Sequence, residues 1–194
     1  MPRVHAAITL RTEEAGGWRP IAGGALAWLV YAPGTPATGS AWLPTVPAPW
    51  PDEPAALLAH FGAAARGVQI ATAAAVAWLA DALEVAWVGD VRVLLVRDGA
   101  PVATTTDHSA LRDLSRTDPD LARALPRDAL LERITARDLS DGKPPERARW
   151  PTRPGDRVLL VSPELHDFRP ASAWLAAALD PLAAPPGRLL LRTD

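Results

Sequence analysis

Apolar and polar positions alternate in short blocks along most of the chain, a pattern that favours strands over long helices. Residues 4–11 (VHAAITLR) and 25–32 (ALAWLVYA) each read as a strand, joined by a glycine-rich turn holding Gly16-Gly17 and Gly23-Gly24. Further apolar runs at 70–80, 83–88, 91–97 and 101–105 are divided by Asp81-Ala82, Gly89-Asp90 and Asp98-Gly99. Asp-Gly between two apolar runs signals a hairpin, because type I′ turns need positive φ. This block predicts an antiparallel meander with residues 83–97 as a central hairpin turning at Gly89-Asp90. Residues 157–162 and 188–193 predict two more strands.

Helical patterning is sparser. Residues 54–67 open on Pro54, run through an Ala/Leu-rich interior and end near Gly67, as a helix should. The charged stretch 108–140 predicts one or two helices, and 170–180 a further one opened by Pro170. Ahead of the first of them, residues 33–54 carry seven prolines and predict an irregular loop. Strands with helices inserted between them point to an α+β class rather than a parallel sheet. A length of 194 residues predicts one domain spanning 1–194.

Composition removes several function classes. A net charge of −2 gives no electrostatic reason to expect nucleic acid or an anionic membrane as partner. The absence of cysteine excludes disulfides, thiolate catalysis and Cys-ligated zinc. His5, His60, His108 and His166 show no metal-ligand spacing. There is no nucleophile elbow, P-loop or dinucleotide fingerprint. No signal-peptide pattern opens the chain, and the longest apolar run, Ile70 to Ala80, is too short to span a bilayer, so a cytoplasmic location is the expectation.

The central block carries a more specific signal. The run Leu83-Glu84-Val85-Ala86-Trp87-Val88-Gly89-Asp90-Val91-Arg92-Val93-Leu94-Leu95-Val96-Arg97-Asp98-Gly99 resembles the "L-x-V-A-x-V-G-D-S-R-x-x-L-x-R-D-G" signature of PPM-type (type 2C) metal-dependent Ser/Thr phosphatases. Asp107-His108-Ser109 is similar to that family's "D-H-S". Arg153-Pro154-Gly155-Asp156-Arg157-Val158-Leu159-Leu160-Val161-Ser162 is similar to its "x-P-G-D-R-x-L-L-x-S" strand. More weakly, Gly17-Trp18-Arg19 resembles the "G-x-R" before "x-x-N/M-E-D-A". The resemblance implies a shortened sandwich of two antiparallel sheets flanked by helices. It also implies Arg19 as the phosphate-binding residue.

The family hydrolyses phosphoesters with two Mg²⁺ or Mn²⁺ ions that activate a water. Two dications about 4 Å apart repel by on the order of 15 kcal/mol at an effective dielectric near 20, so several carboxylates must offset them. At the positions the resemblance assigns to those carboxylates this chain has Gly24, Ala32, Pro163 and the pair Pro186-Gly187. The implied function is a pseudophosphatase: a catalytically inactive protein-binding module without a metal cofactor, its partner a signalling component or phosphoprotein. The alternative is a divergent active phosphatase, with Mg²⁺ or Mn²⁺ held by Asp90, Glu164 and Asp167. Gly89, Asp90, Arg92, Asp107 and His108 read as structural residues of turns and caps. Trp42 and Trp50, in the proline-rich loop, are either anchors for a protein partner or a cover for the sandwich edge. The loops 17–25, 31–51 and 162–169 are expected to meet around the degenerate site.

Overall fold

The computed structural model describes residues 4–11, 13–33, 46–65, 71–125, 134–166, 171–180 and 185–193. Among them, ten strands form two five-stranded antiparallel sheets. The first contains β2 (Glu14–Ile21), β3 (Gly24–Tyr31), β4 (Thr72–Trp78), β5 (Ala82–Val88) and β8 (Glu146–Pro151), in that order. The second has the order β1 (Val4–Thr9), β10 (Arg188–Thr193), β9 (Arg157–Val161), β6 (Arg92–Arg97) and β7 (Ala100–Thr104).

Alternation along each strand divides the interior into three layers. Ala74, Val76 and Trp78 of β4, with Leu29, Val85 and Trp87, face Val93, Leu95, Val158, Leu160 and Leu189 between the sheets. The intervening Ala73, Ala75 and Ala77 face outward onto α1 (Pro54–Ala65), where methyl-sized side chains let the helix approach closely. Helix α1 answers with Leu57, Leu58, Phe61 and Ala65, a stripe at helical spacing, and its first free N–H groups donate to the Glu53 carboxylate. On the far face of the second sheet, Leu94, Val96, Leu159, Val161 and Leu190 lie under Trp174 and under Leu175 and Ala178 of α5 (Leu175–Leu179). The remaining helices are α2 (Ala110–Thr117), α3 (Pro119–Ala124) and the single turn α4 (Pro163–His166).

Two sequence expectations about the path of the chain are corrected. The glycine-rich segment around Gly16-Gly17 is strand β2, not a turn. A Cβ on Gly17 would stand 2.7 Å from Cζ2 of Trp28, the residue facing it on β3, so the glycine makes room for an indole laid across the strand. The segment 83–97 is not a hairpin either. Strand β5 pairs with β4 and β8, and β6 pairs with β7 and β9, so Gly89-Asp90 carries the chain from one sheet to the other. The Asp98-Gly99 hairpin forms as predicted, with both residues at positive φ (52° and 81°). No described helix is long and apolar enough to cross a membrane.

Candidate functional site

The antiparallel registers bring one set of strand ends together: the starts of β2, β4, β6 and β10 and the ends of β1, β3, β5 and β9. Ala32 follows β3 here, tied by its N–H to the Glu13 carbonyl. Ser162 and Pro163 follow β9, and Gly187 precedes β10; the Ser162 N–H donates to the Gly187 carbonyl, and the Gly187 N–H to that of Thr9. A Cβ on Gly187 would stand 2.6 Å from Ser162 Oγ and 3.0 Å from Glu14 Oε1, so glycine is required by the crowding of two polar groups. Both of those atoms are buried without a hydrogen-bond partner among the described residues.

Several carboxylates gather toward this end, Glu13 and Asp90 among them, and Glu14 and Glu164 are each engaged. Glu14 Oε2 accepts the backbone N–H of Arg11 at 2.7 Å. Glu164 Oε2 takes the Arg11 guanidinium at 3.2 Å, while its Oε1 accepts the Tyr31 hydroxyl at 3.0 Å. Burial first, and then this hydrogen bond, holds the Tyr31 phenol well above its ordinary range, so it is a donor at any working pH.

Beside them lies a buried polar tie. Asp90 accepts the hydroxyls of Thr72 (2.8 Å) and Thr135 (2.7 Å), and its carbonyl accepts His166 Nε2 at 2.9 Å. Burial raises its carboxyl above the usual range, with the two threonine bonds opposing. Gly89, at φ 87°, could carry no side chain: a Cβ would stand 2.1 Å from Thr72 Cγ2. Its N–H donates to Nδ1 of His108, whose own N–H returns to the Gly89 carbonyl. That leaves the ring proton on Nε2, 3.1 Å from Glu146. Burial lowers the His108 pKa and keeps the ring neutral. Arg92 binds Asp107 through Nε and Nη2, at 2.9 and 2.7 Å. These contacts tie the β5–β6 connection to the segments that follow β7 and precede β8.

The remaining candidates fall elsewhere. Gly24 faces Ile21 at the opposite end of the β2–β3 hairpin, under the Trp78 carbonyl, so it is not a partner of Ala32 and Pro163. Arg19 faces Leu26, also toward that end, and its guanidinium holds the carbonyls of Trp50 (2.6 Å) and Pro51 (2.9 Å) and the Asp52 carboxylate (2.7 Å). It pins the end of the proline-rich loop and does not face the strand-end site. The segment 17–25 leaves that site with them. The Trp50 ring packs edge-on against Trp28 and Phe61, with centroids 5.3 and 5.0 Å away. Trp42 and Asp167 lie outside the described residues.

Glu14, Arg11 and Tyr31 are the site residues that the sequence reading missed. The signal was present, since Glu13-Glu14-Ala15 is one conservative change from "E-D-A". The Gly17-Trp18-Arg19 match had placed that motif one strand length too late. The motifs also conceal a structural pair: Arg97 grips Asp156 with two bonds of 2.8 Å across 59 residues, holding the Asp156 carboxyl below the usual range.

Comparison with solved structures places the architecture. PppA, described as a key regulatory component of T6SS in Pseudomonas aeruginosa, superposes with a TM-score of 0.71 at 20% identity, over 99% of this chain and 97% of its own. The catalytic domain of the Ser/Thr phosphatase PstP, solved with two manganese ions, gives 0.63 at 24% identity over 99% and 97%. Stp1 from Staphylococcus aureus gives 0.62 at 16% over 100% and 95%. No family model and no curated protein matches the sequence. The chain has the fold of the PPM-type Ser/Thr phosphatases, on a short length of 194 residues.

The donor set among the described residues does not fit a two-manganese centre. Hard dications require several anionic oxygens converging on each ion. The strand ends contribute Ala32, Pro163 and Gly187, and of the carboxylates near them Glu14 accepts from Arg11, Glu164 from Arg11 and Tyr31, and Asp90 from Thr72 and Thr135. Among the described residues, no three His, Asp or Glu side chains group so as to hold an ion.

Proposed function

We propose that this chain is a catalytically inactive PPM-type pseudophosphatase, kept as a protein-binding regulatory module and working without a metal cofactor. The observation that carries this reading is the exchange at the strand ends. Ala32, Pro163 and Gly187 supply no charge, and the carboxylates that remain are committed to internal partners. Without bound dications nothing here activates a water or neutralises a phosphoryl group. A regulatory role has a precedent in this fold, since the Pseudomonas neighbour is described as a regulatory component. The partner we propose is a protein, a signalling component or a phosphoprotein, not nucleic acid or a membrane.

The test is turnover. Purified protein supplied with millimolar Mn²⁺ should release no phosphate above background from p-nitrophenyl phosphate or a phosphoserine peptide. Metal-dependent hydrolysis would overturn the proposal and establish a divergent phosphatase instead.

A further inference from the structure

Four strands bound the two sheets: β1 and β7 in one, β2 and β8 in the other. Open edges invite further strands, and proteins blunt them with proline and charge. Strand β7 carries Pro101, β8 carries Glu146, Arg147 and Arg149 and ends in Pro151, and β2 carries Arg19 and Pro20. Strand β1, VHAAIT, has no proline, no lysine or arginine and no acid. Among the described residues it pairs with β10 alone. The Thr9 carbonyl accepts the N–H of Gly187, just ahead of β10, so Thr9, Ala7 and His5 turn their backbone polar groups toward β10. The N–H and C=O of Val4, Ala6 and Ile8 therefore point to the open edge. Their side chains share the face that looks between the sheets, where Val4 and Ala6 join the inner layer and Ile8 stays 37% exposed. Next to Val4 that layer opens into a cavity of about 510 Å³, walled by Trp18, Pro20, Trp78 and Leu79.

We propose that a second copy of this chain occupies the β1 edge, with β1 antiparallel to β1, so that the second sheets of the two copies join into one. The strand is complementary to itself about Ala6. A two-fold axis there, perpendicular to the sheet, sets Ala6 against Ala6, Val4 against Ile8 and His5 against Ala7. Each edge-facing N–H and C=O of Val4, Ala6 and Ile8 then meets one from the other copy, and no like charges stand opposite. The inner faces stay matched, because every pair joins residues of one face. The same register brings the exposed Ile8 of each copy beside Val4 of the other, at the mouth of the apolar cavity. The unblunted edge and the cavity are thus filled by one occupant, and β1 itself supplies it. The inference is independent of whether the chain hydrolyses phosphoesters.

The test is sedimentation velocity on the whole chain from low micromolar to sub-millimolar concentration, over which wild type should pass from monomer to dimer. Ile8→Lys sets a charge against the apolar cavity and should weaken the dimer about tenfold or more, with little change in the melting temperature of the dilute monomer. Ala6→Pro removes an edge-facing donor without taking a bond from β10 and should weaken the dimer similarly; if that variant does not fold, Ile8→Lys decides. Val102→Lys, on the exposed β7 edge, should leave dimerisation as in wild type. The native chain has no cysteine, so introduced ones report the register. A mixture of Val4→Cys and Ile8→Cys should oxidise to the mixed disulfide faster than either variant alone cross-links to itself. A chain that stays monomeric throughout overturns the inference and leaves the edge to a strand of a different protein. A dimer that Ile8→Lys does not weaken overturns it too, as does cross-linking with no preference for the mixed pair.

Discussion

Asp90 and Asp156 are both buried aspartates drawn from the recognisable motifs, yet their surroundings push them in opposite directions. Asp90 is surrounded by hydroxyls with no guanidinium partner, and burial raises its carboxyl. Asp156 is gripped by Arg97, which lowers its carboxyl. The linkage signs follow from these directions. The contribution of Asp90 is fully present below the unfolded aspartate value, about 3.9, and is lost as pH rises through the higher folded value. That of Asp156 is present above about 3.9 and lost as pH falls through the lower folded value. Thermal melts of Asp156→Asn should therefore show the largest deficit at neutral pH, with the gap to wild type closing in acid. Asp90→Asn should gain on wild type as pH rises. Asp90→Ala strands the Thr72 and Thr135 hydroxyls and should cost about 2 kcal/mol in urea unfolding.

Among the elements, legibility followed the side chains that carry local information. The β6–β7 hairpin was readable because Asp98-Gly99 demands positive φ wherever it occurs. The same reasoning misplaced Gly89-Asp90, since φ and apolar alternation are alike in a hairpin and in a crossover between sheets. What distinguishes the two is which strand lies alongside, a contact made at long range. Strand β2 was hidden because its glycines are explained only by Trp28 on the neighbouring strand. At the candidate site, Ala32 and Pro163 were legible through flanking motifs, whereas Glu14 and Arg11 were not. A short glycine motif set the register, and the partner of Arg11 lies on a distant element. The proline-rich loop end, held by Arg19 and by Trp50 on Trp28 and Phe61, behaves as part of the α1 layer. Trp50→Ala should lower the stability of the free protein by about 2 kcal/mol, below the full-burial range because the indole is only half buried. Partner capture should be unchanged; a variant of native stability that loses its partner would restore Trp50 as an anchor.

For the molecule as a whole, the order of strands in the second sheet matters more than any single contact. Strand β10 lies between β1 and β9, pairing with both, although residues 188–193 come last of the ten strands in sequence. Its Leu189 and Leu191 face the layer between the sheets, while Leu190 lies beneath α5. A chain cut after Gly187 would leave β1 with no neighbour in its sheet and one edge of β9 unpaired. Such a chain should be cleaved by protease under conditions where the intact chain resists. During synthesis, β1 emerges before the other nine strands, and it must wait unpaired until β10, the last of them, has been made. Through that interval the first sheet can assemble, but the second exposes adjacent strand edges that another nascent copy could fill. Yield from rapid translation should therefore depend on holdase chaperones, and slowing the ribosome between β9 and β10 should not relieve that dependence, because the missing strand is still to come.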